Sequence, residues 1–549
     1  MAGRFDTHEV INQSPPFQDV DLYGSDRPLQ EAVAANVAGA EAEALSAFGL
    51  RWGAAAMFEQ ARLANANPPV LRSFDAGGRR SDTIEFHPAY HHFMAESVAA
   101  GLHASTWRPD ATPEAAPAEV ARAARFYMVA QVENGHMCPI TMTRASVAAL
   151  FEEPSLVGMV MPKLTSRHYD PVFRPWREKA GITLGMGMTE KQGGTDVRAN
   201  TTAAAPAGDH YLLTGHKWFM SAPMCDAFLV LAQAPGGLTC FFLPRFKPDG
   251  SVNALRLQRL KDKLGNRSNA SSEVEFADAY ALRVGEEGAG VRTILQMVQL
   301  TRLDCAISSA GMMRAAVAQA FHHCRHRTVF QKRLIDQPMM RTVLADMALE
   351  SEGAVAAVMR LCRSFDLAAV SPAEAARARL LTPAIKYWVC KAAPALVYEA
   401  MECLGGNGYV EDGPMARLYR EAPVNAIWEG SGNVVALDVL RAASRDGEGA
   451  RAAIDDLARE AGDCAGAAEA AEAIGRALAS PGAEGDARIV VERLARLAAA
   501  AALRASAPAA VAEGFARSRL SGERGATYGT AMIDSGVSAL LLERAWPSQ

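Results

Sequence analysis

Met186-Gly-Met-Thr-Glu-Lys-Gln-Gly-Gly-Thr-Asp-Val197 opens the one long stretch of this chain whose texture is not helical. Gly193 and Gly194 have no Cβ, so another group can approach their main chain closely. Thr189 and Thr195 add hydroxyls beside backbone N–H groups. The same residues suit an ordinary surface β-turn, because Gly-Gly-Thr-Asp is good turn chemistry. From about Gly181 to about Ala281, short apolar alternations such as Ala227-Phe-Leu-Val-Leu-Ala232 and Ser272-Glu-Val-Glu-Phe276 are separated by Ala207-Gly-Asp, Pro235-Gly-Gly and Pro248-Asp-Gly. That alternation predicts strands and tight turns, the makings of a small barrel or sandwich.

Helical periodicity lies on both sides of this region. It runs in pieces from Leu29 to about Pro175, including 115–133 and 143–151, with breaks at Asn67-Pro68-Pro69, Asp75–Gly78 and Pro154. It returns from Val291 to about Ala443. An Ala- and Arg-rich tail follows, punctuated by Gly447 and Pro481-Gly, in which Ile489–Leu503 places Val490, Leu494 and Leu497 on one side of a helix. No fixed-period repeat is present. The expected organisation is multi-domain α+β: an arm (1–35), a helical domain (36–180), a middle β domain (181–285), a helical bundle (286–443) and an extra helical region (444–549).

Composition narrows the function classes. The chain has 549 residues, half of them hydrophobic, and a net charge of −5. Such a balance gives no general pull toward nucleic acid or anionic membrane. Nine dispersed Cys without a C-x-x-C pair argue against a zinc ribbon or disulfide scaffold and fit a reducing, cytoplasmic setting. No apolar run reaches the roughly 18 residues of a membrane helix.

Three further motifs bear chemistry. Gly215-His-Lys-Trp-Phe-Met-Ser221 offers an aromatic and a hydroxyl, or simply a hairpin strand with Trp218 and Phe219 on opposite faces, one of them core. In Ile427-Trp-Glu-Gly-Ser-Gly-Asn433 one carboxylate sits between a large aromatic and a glycine turn. That setting suits a general base, or a cap for the next helix by Ser431 or Asn433. Leu404-Gly-Gly-Asn-Gly-Tyr409 reads as a phosphate-contacting turn or a helix C-cap. His322, His323 and His326 fall within about one helical turn, but no acidic or Cys partner set accompanies them, so no metal is expected.

In order and spacing these motifs resemble the acyl-CoA dehydrogenase family over about residues 50–443. The family's flavin loop is similar to Met188–Asp196, and its K-x-W-I-T segment to Lys217–Ser221. Its R-x-x-F-G-x-x-L segment, which reaches a neighbouring subunit's FAD, matches Arg327, Phe330 and Leu334, with Gln331 in place of glycine. Its Q-x-x-G-G-x-G-Y segment matches Gly405, Gly406, Gly408 and Tyr409, with Glu402 in place of Gln. Its Y-E-G-T segment matches Trp428-Glu429-Gly430-Ser431. Finer phrases, among them Arg62–Pro69, Cys138–Thr143 and Leu260–Ala270, resemble a branch linked to the response to alkylating agents.

The resemblance implies an FAD enzyme, a homotetramer, and an acyl-CoA thioester as substrate. Glu429 would remove the α-proton while a hydride leaves the β-carbon for flavin N5, and an unidentified acceptor would reoxidise the flavin. It implies FAD contacts from Met186, Met188, Thr189, Gly193, Gly194, Thr195, Phe219, Ser221, Arg327, Phe330, Gly405, Gly406, Trp428, Ser431 and Asn433. Trp428 and Arg441 would border the acyl pocket. The alternative the branch implies is an FAD-containing protein that binds and protects double-stranded DNA, through a face carrying Arg504, Arg517, Arg519 and Arg524. The region after residue 441 has twelve Arg, no Lys and fifteen Asp and Glu, short of the basic composition such a face ordinarily has.

Overall fold

The computed structural model describes residues 7–37, 41–107, 118–480 and 482–546, and the chain divides into two compact units. One is Ala56–Cys305 with Ile427–Val434; the other is Met1–Ala55, Ala306–Ala426 and Val435–Gln549. The first six residues of the expected arm, residues 115–117 and Pro481 lie outside the described residues.

In the first unit seven strands share one sheet. Leu184–Gly187 lies at its edge, followed by Ala227–Ala234, Ala203–Ala207, His210–Ser221, Ser271–Val284 and Gly237–Pro244, with Leu255–Leu260 also paired to Ser271–Val284. Ala227–Ala234 pairs along its whole length with Gly237–Pro244, so the sheet curls back on itself as a barrel. This explains the unbroken apolar run at 227–232: both faces of that strand are buried. Leu229 and Leu231 join Leu184, Trp176 and Phe242 in one cluster. Phe228 and Val230 join Leu213, Phe241 and Leu243 in another. Each such side chain contributes about 1.5–3 kcal/mol on burial.

Helices Ala118–Ala130 and Met137–Leu150 are buried over most of their length. Between them and residues 290–305 sits an interior charge cluster. Arg122 holds Asp304 with two hydrogen bonds of 2.7 and 2.6 Å, Arg144 adds one of 3.1 Å, and Thr141 Oγ1 adds another of 2.8 Å. Arg144 also pairs with Glu119. Buried charges tolerate such a site only when paired, so the cluster fixes the register of 290–305.

One departure from the sequence reading falls here. The helical pattern between 29 and 175 is interrupted by a hairpin, Val70–Phe74 with Arg80–Glu85. Asn67-Pro-Pro ends helix Ala55–Ala66, and Asp75 Oδ1 accepts from the N–H groups of Gly77 (2.8 Å) and Arg79 (2.9 Å). Asp in that role turns the chain and leaves two short strands to pair.

The second unit is helical. Pro338–Leu367 and Pro372–Cys403 pack on each other and on Ala483–Ser506, around which Gly447–Ala461, Ala467–Leu478 and Ala509–Arg519 gather. Val490, Leu494 and Leu497 are buried, as their spacing predicts. No helix among the described residues is long and apolar enough to cross a membrane.

Candidate functional site

The loop after the edge strand is held from inside. Its Glu190 carboxylate is wholly buried and accepts from Lys217 Nζ (2.7 Å), Thr202 Oγ1 (2.6 Å), Thr201 N (2.7 Å) and Thr202 N (3.2 Å). Burial opposes its charge, but those donors, Lys217 foremost, hold its pKa down at about 2. Glu190 and Gly193 exchange main-chain hydrogen bonds of 3.2 and 3.1 Å, closing the turn. At Gly194 an added Cβ would sit 2.7 Å from Thr189 Oγ1, whereas at Gly193 it would meet nothing within 4 Å. Gly194 is therefore required by the turn's own packing, and Gly193 presents open main chain. Met186, Met188 and Thr189 are half-buried, and Thr195 is exposed.

The second motif is re-aimed by a β-bulge. Lys217 pairs with Val274 and Met220 with Ser272, so three steps on one strand match two on the other. Neither Trp218 nor Phe219 enters the core. Phe219 is 50% exposed, and Lys261 Nζ lies 3.2 Å from the Trp218 ring centre. This corrects the plain-strand alternative, in which one of the two would be core. Beyond the bulge, Ser221 Oγ lies 3.2 Å from Ser271 Oγ, its cross-strand partner.

Glu429 occupies the same unit and has a left-handed backbone, φ 58°, followed by Gly430 at φ 104°. A non-glycine residue there is strained, and such strain gathers at functional sites. Two residues of 290–305 hold it. Thr301 Oγ1 donates to a Glu429 carboxylate oxygen at 2.7 Å, and Arg302 Nε donates to the Glu429 carbonyl at 2.9 Å. One helical turn on, Asp304 is locked in the interior charge cluster. Burial pushes the Cys138 thiol up to about 12; the charge of Glu429 adds to the rise, while Lys263, Asn269 and Ser221 oppose it. Trp428 is half-buried; Ser431 and Asn433 are exposed. Sequence reasoning missed Glu190, Thr301 and Arg302. Their traces were a Thr-Arg pair inside an apolar helix and an acid beside a glycine turn, neither distinctive without the fold.

The remaining expected residues belong to the other unit. Phe330 and Gln331 are the central pair of a hairpin, φ 51° and 65°, and Phe330 is 90% exposed. Arg327 Nη1 donates to the carbonyl of Asn12 at 2.7 Å. Gly405, φ 60°, follows Leu404, the C-cap of helix Pro372–Cys403, and starts the short helix Gly406–Tyr409; both Gly405 and Gly406 are exposed with open space at their Cβ positions. Arg441 is exposed on helix Gly432–Arg445.

The arginines proposed for a DNA face are divided by the structure. Arg519 is corrected: its side chain is fully buried, bonded to Asp346 at 2.5 Å and Glu350 at 2.7 Å, and it fastens helix Ala509–Arg519 to Pro338–Leu367. Arg504, Arg517 and Arg524 each lie near a carboxylate, of Asp463, Glu523 and Glu350 respectively. His322 and His326 pack their rings 4.5 Å apart, and His322 bonds the Pro15 carbonyl. Among the described residues no group of three His, Cys, Asp or Glu is placed to hold a metal ion.

Most of the chain matches known protein domains. Residues 12–171 match the N-terminal domain of the adaptive response protein AidB. Residues 185–279 and 288–444 match the middle and C-terminal domains of acyl-CoA dehydrogenases. Over 457 residues, 83% of each chain, the sequence is 50% identical to AidB of Escherichia coli strain K12.

The chain belongs to the acyl-CoA dehydrogenase family.

Two solved structures are similar over nearly their whole length. Bd2924 in its apo form is 28% identical with a TM-score of 0.82, covering 90% of this chain and 99% of its own. Caenorhabditis elegans ACDH-11 in complex with C11-CoA is 27% identical with a TM-score of 0.84, covering 94% of each. As a member of this family the chain is an acyl-CoA dehydrogenase-like flavoenzyme, and FAD is the family's cofactor.

Proposed function

We propose that the protein oxidises an acyl-CoA thioester with Glu429 as the general base and FAD as its cofactor. The observation that carries this is the setting of Glu429: a carboxylate on a strained backbone, held by Thr301 and Arg302, in the same unit as the 186–197 loop and Ser221. The residues present fit FAD. Gly193 offers open main chain at the loop, Ser221 a half-buried hydroxyl, and Asn269 Oδ1 a buried acceptor without a hydrogen-bond partner. Met186, Met188, Thr189, Gly193, Gly194, Thr195, Phe219, Ser221, Trp428, Ser431 and Asn433 would hold it, with Arg327, Phe330, Gly405 and Gly406 contributing in a homotetramer.

Bound FAD would supply the two-electron acceptor. The chain supplies the rest. Glu429 takes the α-proton; Thr301 keeps its carboxylate aimed while it waits. The Glu429 N–H polarises the thioester carbonyl, stabilising negative charge as it develops. Trp428 would border the acyl chain. The ACDH-11 complex supports a thioester as substrate, and relation to AidB supports a place in the response to alkylating agents. The cytoplasm suits its dispersed thiols.

The test is anaerobic addition of a panel of acyl-CoAs to purified protein. Bleaching of the flavin band by one member, abolished in Glu429→Gln, is the expected result. Full bleaching in Glu429→Gln would overturn the assignment. The DNA-binding alternative now rests on Arg504, Arg517 and Arg524; absence of a duplex shift even at low salt would remove it.

A further inference from the structure

Behind Ser221 runs a line of hydrogen bonds that the proposed reaction does not use. Lys263, in the loop between Leu255–Leu260 and Ser271–Val284, directs its ammonium inward. Its Nζ donates to the Asn269 carbonyl at 2.7 Å and to Ser271 Oγ at 3.1 Å. Ser271 Oγ lies 3.2 Å from Ser221 Oγ, and the two serines are register partners across the sheet. The order of donors follows from chemistry. An ammonium has no acceptor, so Ser271 must accept from Lys263, and its own proton is free for Ser221 Oγ. That leaves the Ser221 proton to point away from the line. The nearby competitor for it is Cys138, which burial keeps as a neutral thiol, a weak acceptor.

We propose that Lys263 is a positioning residue that acts through Ser271 on the Ser221 hydroxyl, making it a stronger donor to the edge of the flavin ring and so favouring the reduced over the oxidised cofactor. The inference rests on the reading of Ser221 as an FAD contact. Hydrogen bonds in a chain polarise one another, and a charged donor at the head strengthens those that follow. A donor aimed at a ring edge stabilises whichever redox state carries more negative charge there, which is the reduced one. The line is short, half-buried and built on paired strands, so the ammonium acts at a fixed distance.

The experiment is a dye-equilibrated redox titration of the purified FAD-loaded protein, comparing wild type with Lys263→Met, Lys263→Arg and Ser271→Ala. In Lys263→Met and Ser271→Ala the balance should move at least tenfold toward oxidised flavin, a drop of about 30 mV for a two-electron couple. Lys263→Arg, which keeps the charge, should retain most of the wild-type potential. Ser271→Ala serves if Lys263→Met does not fold. Flavin bound with an unchanged potential in both variants overturns the relay and leaves the proposed function standing. Wild-type protein that binds no flavin overturns the FAD reading, and the relay with it. A merely structural role for Lys263 predicts lower thermal stability with no change in potential.

Discussion

Replacing Lys217 by Met would test whether the loop at the proposed flavin site is held from within. Lys217 Nζ and Glu190 Oε1 are 2.7 Å apart, and neither side chain is exposed. The ammonium also donates to the Leu231 carbonyl at 2.8 Å. Met matches the length of Lys but leaves Glu190 charged and buried with only neutral donors. Removing one partner of a buried ion pair costs about 3–5 kcal/mol. For a unit of this size each kcal/mol lowers the midpoint by about 2–4 °C, so the variant should melt roughly 6–20 °C below wild type. Differential scanning calorimetry reads the midpoint, and the visible spectrum reads how much FAD stays bound. Adding Glu190→Gln should recover part of the loss, because a neutral amide is cheaper to leave in that position. A Lys217→Met protein that melts within about 1 °C of wild type and keeps its flavin would refute the argument.

Other consequences follow from the same structure. Glu190, and Glu133, which is buried but bonded to His136 Nδ1 and Ser268 Oγ at 2.6 Å each, are both held at about 2 by their partners against the pull of burial, from an ordinary value of 4.5. Their folded pKa values are depressed, so the stability they contribute is complete above about 4.5 and is lost as pH falls toward 2; a series of melts from pH 6 to 2.5 should show the decline. Thr301→Val removes a hydroxyl bonded to the Glu429 carboxylate. A bond to a charged group contributes about 1.5–3 kcal/mol, so kcat should fall roughly 10- to 100-fold with KM little changed, as single-turnover flavin reduction would show. Arg519→Met should lower the stability of the helical unit by about 3–5 kcal/mol, because it strands Asp346 and Glu350. Its DNA affinity, measured below the melting range, should equal that of wild type.

Local sequence determined the texture of this protein. The double-sided apolar run at 227–232 announced a buried strand, and the spacing of Val490, Leu494 and Leu497 announced the buried side of a late helix. Glu429 was visible as a carboxylate between an aromatic and a glycine turn, but its neighbours left a base and a helix cap equally open, and only the family resemblance chose the base. These signals are short-range, carried by periodicity and by glycine, and need no knowledge of what lies opposite. The tertiary structure decided what depends on partners far along the chain. Thr301 and Arg302 become the supports of Glu429 across more than a hundred residues, and Lys217 becomes the counter-ion of Glu190 only once its strand pairs. Arg519 shows the limit most plainly. In sequence it is one basic residue in a helix that also carries Arg517; in the fold it lies in the interior between two carboxylates while Arg517 faces solvent. Helical periodicity says which residues share a face but not what that face meets, and for a charged side chain the identity of the neighbour decides between burial and exposure.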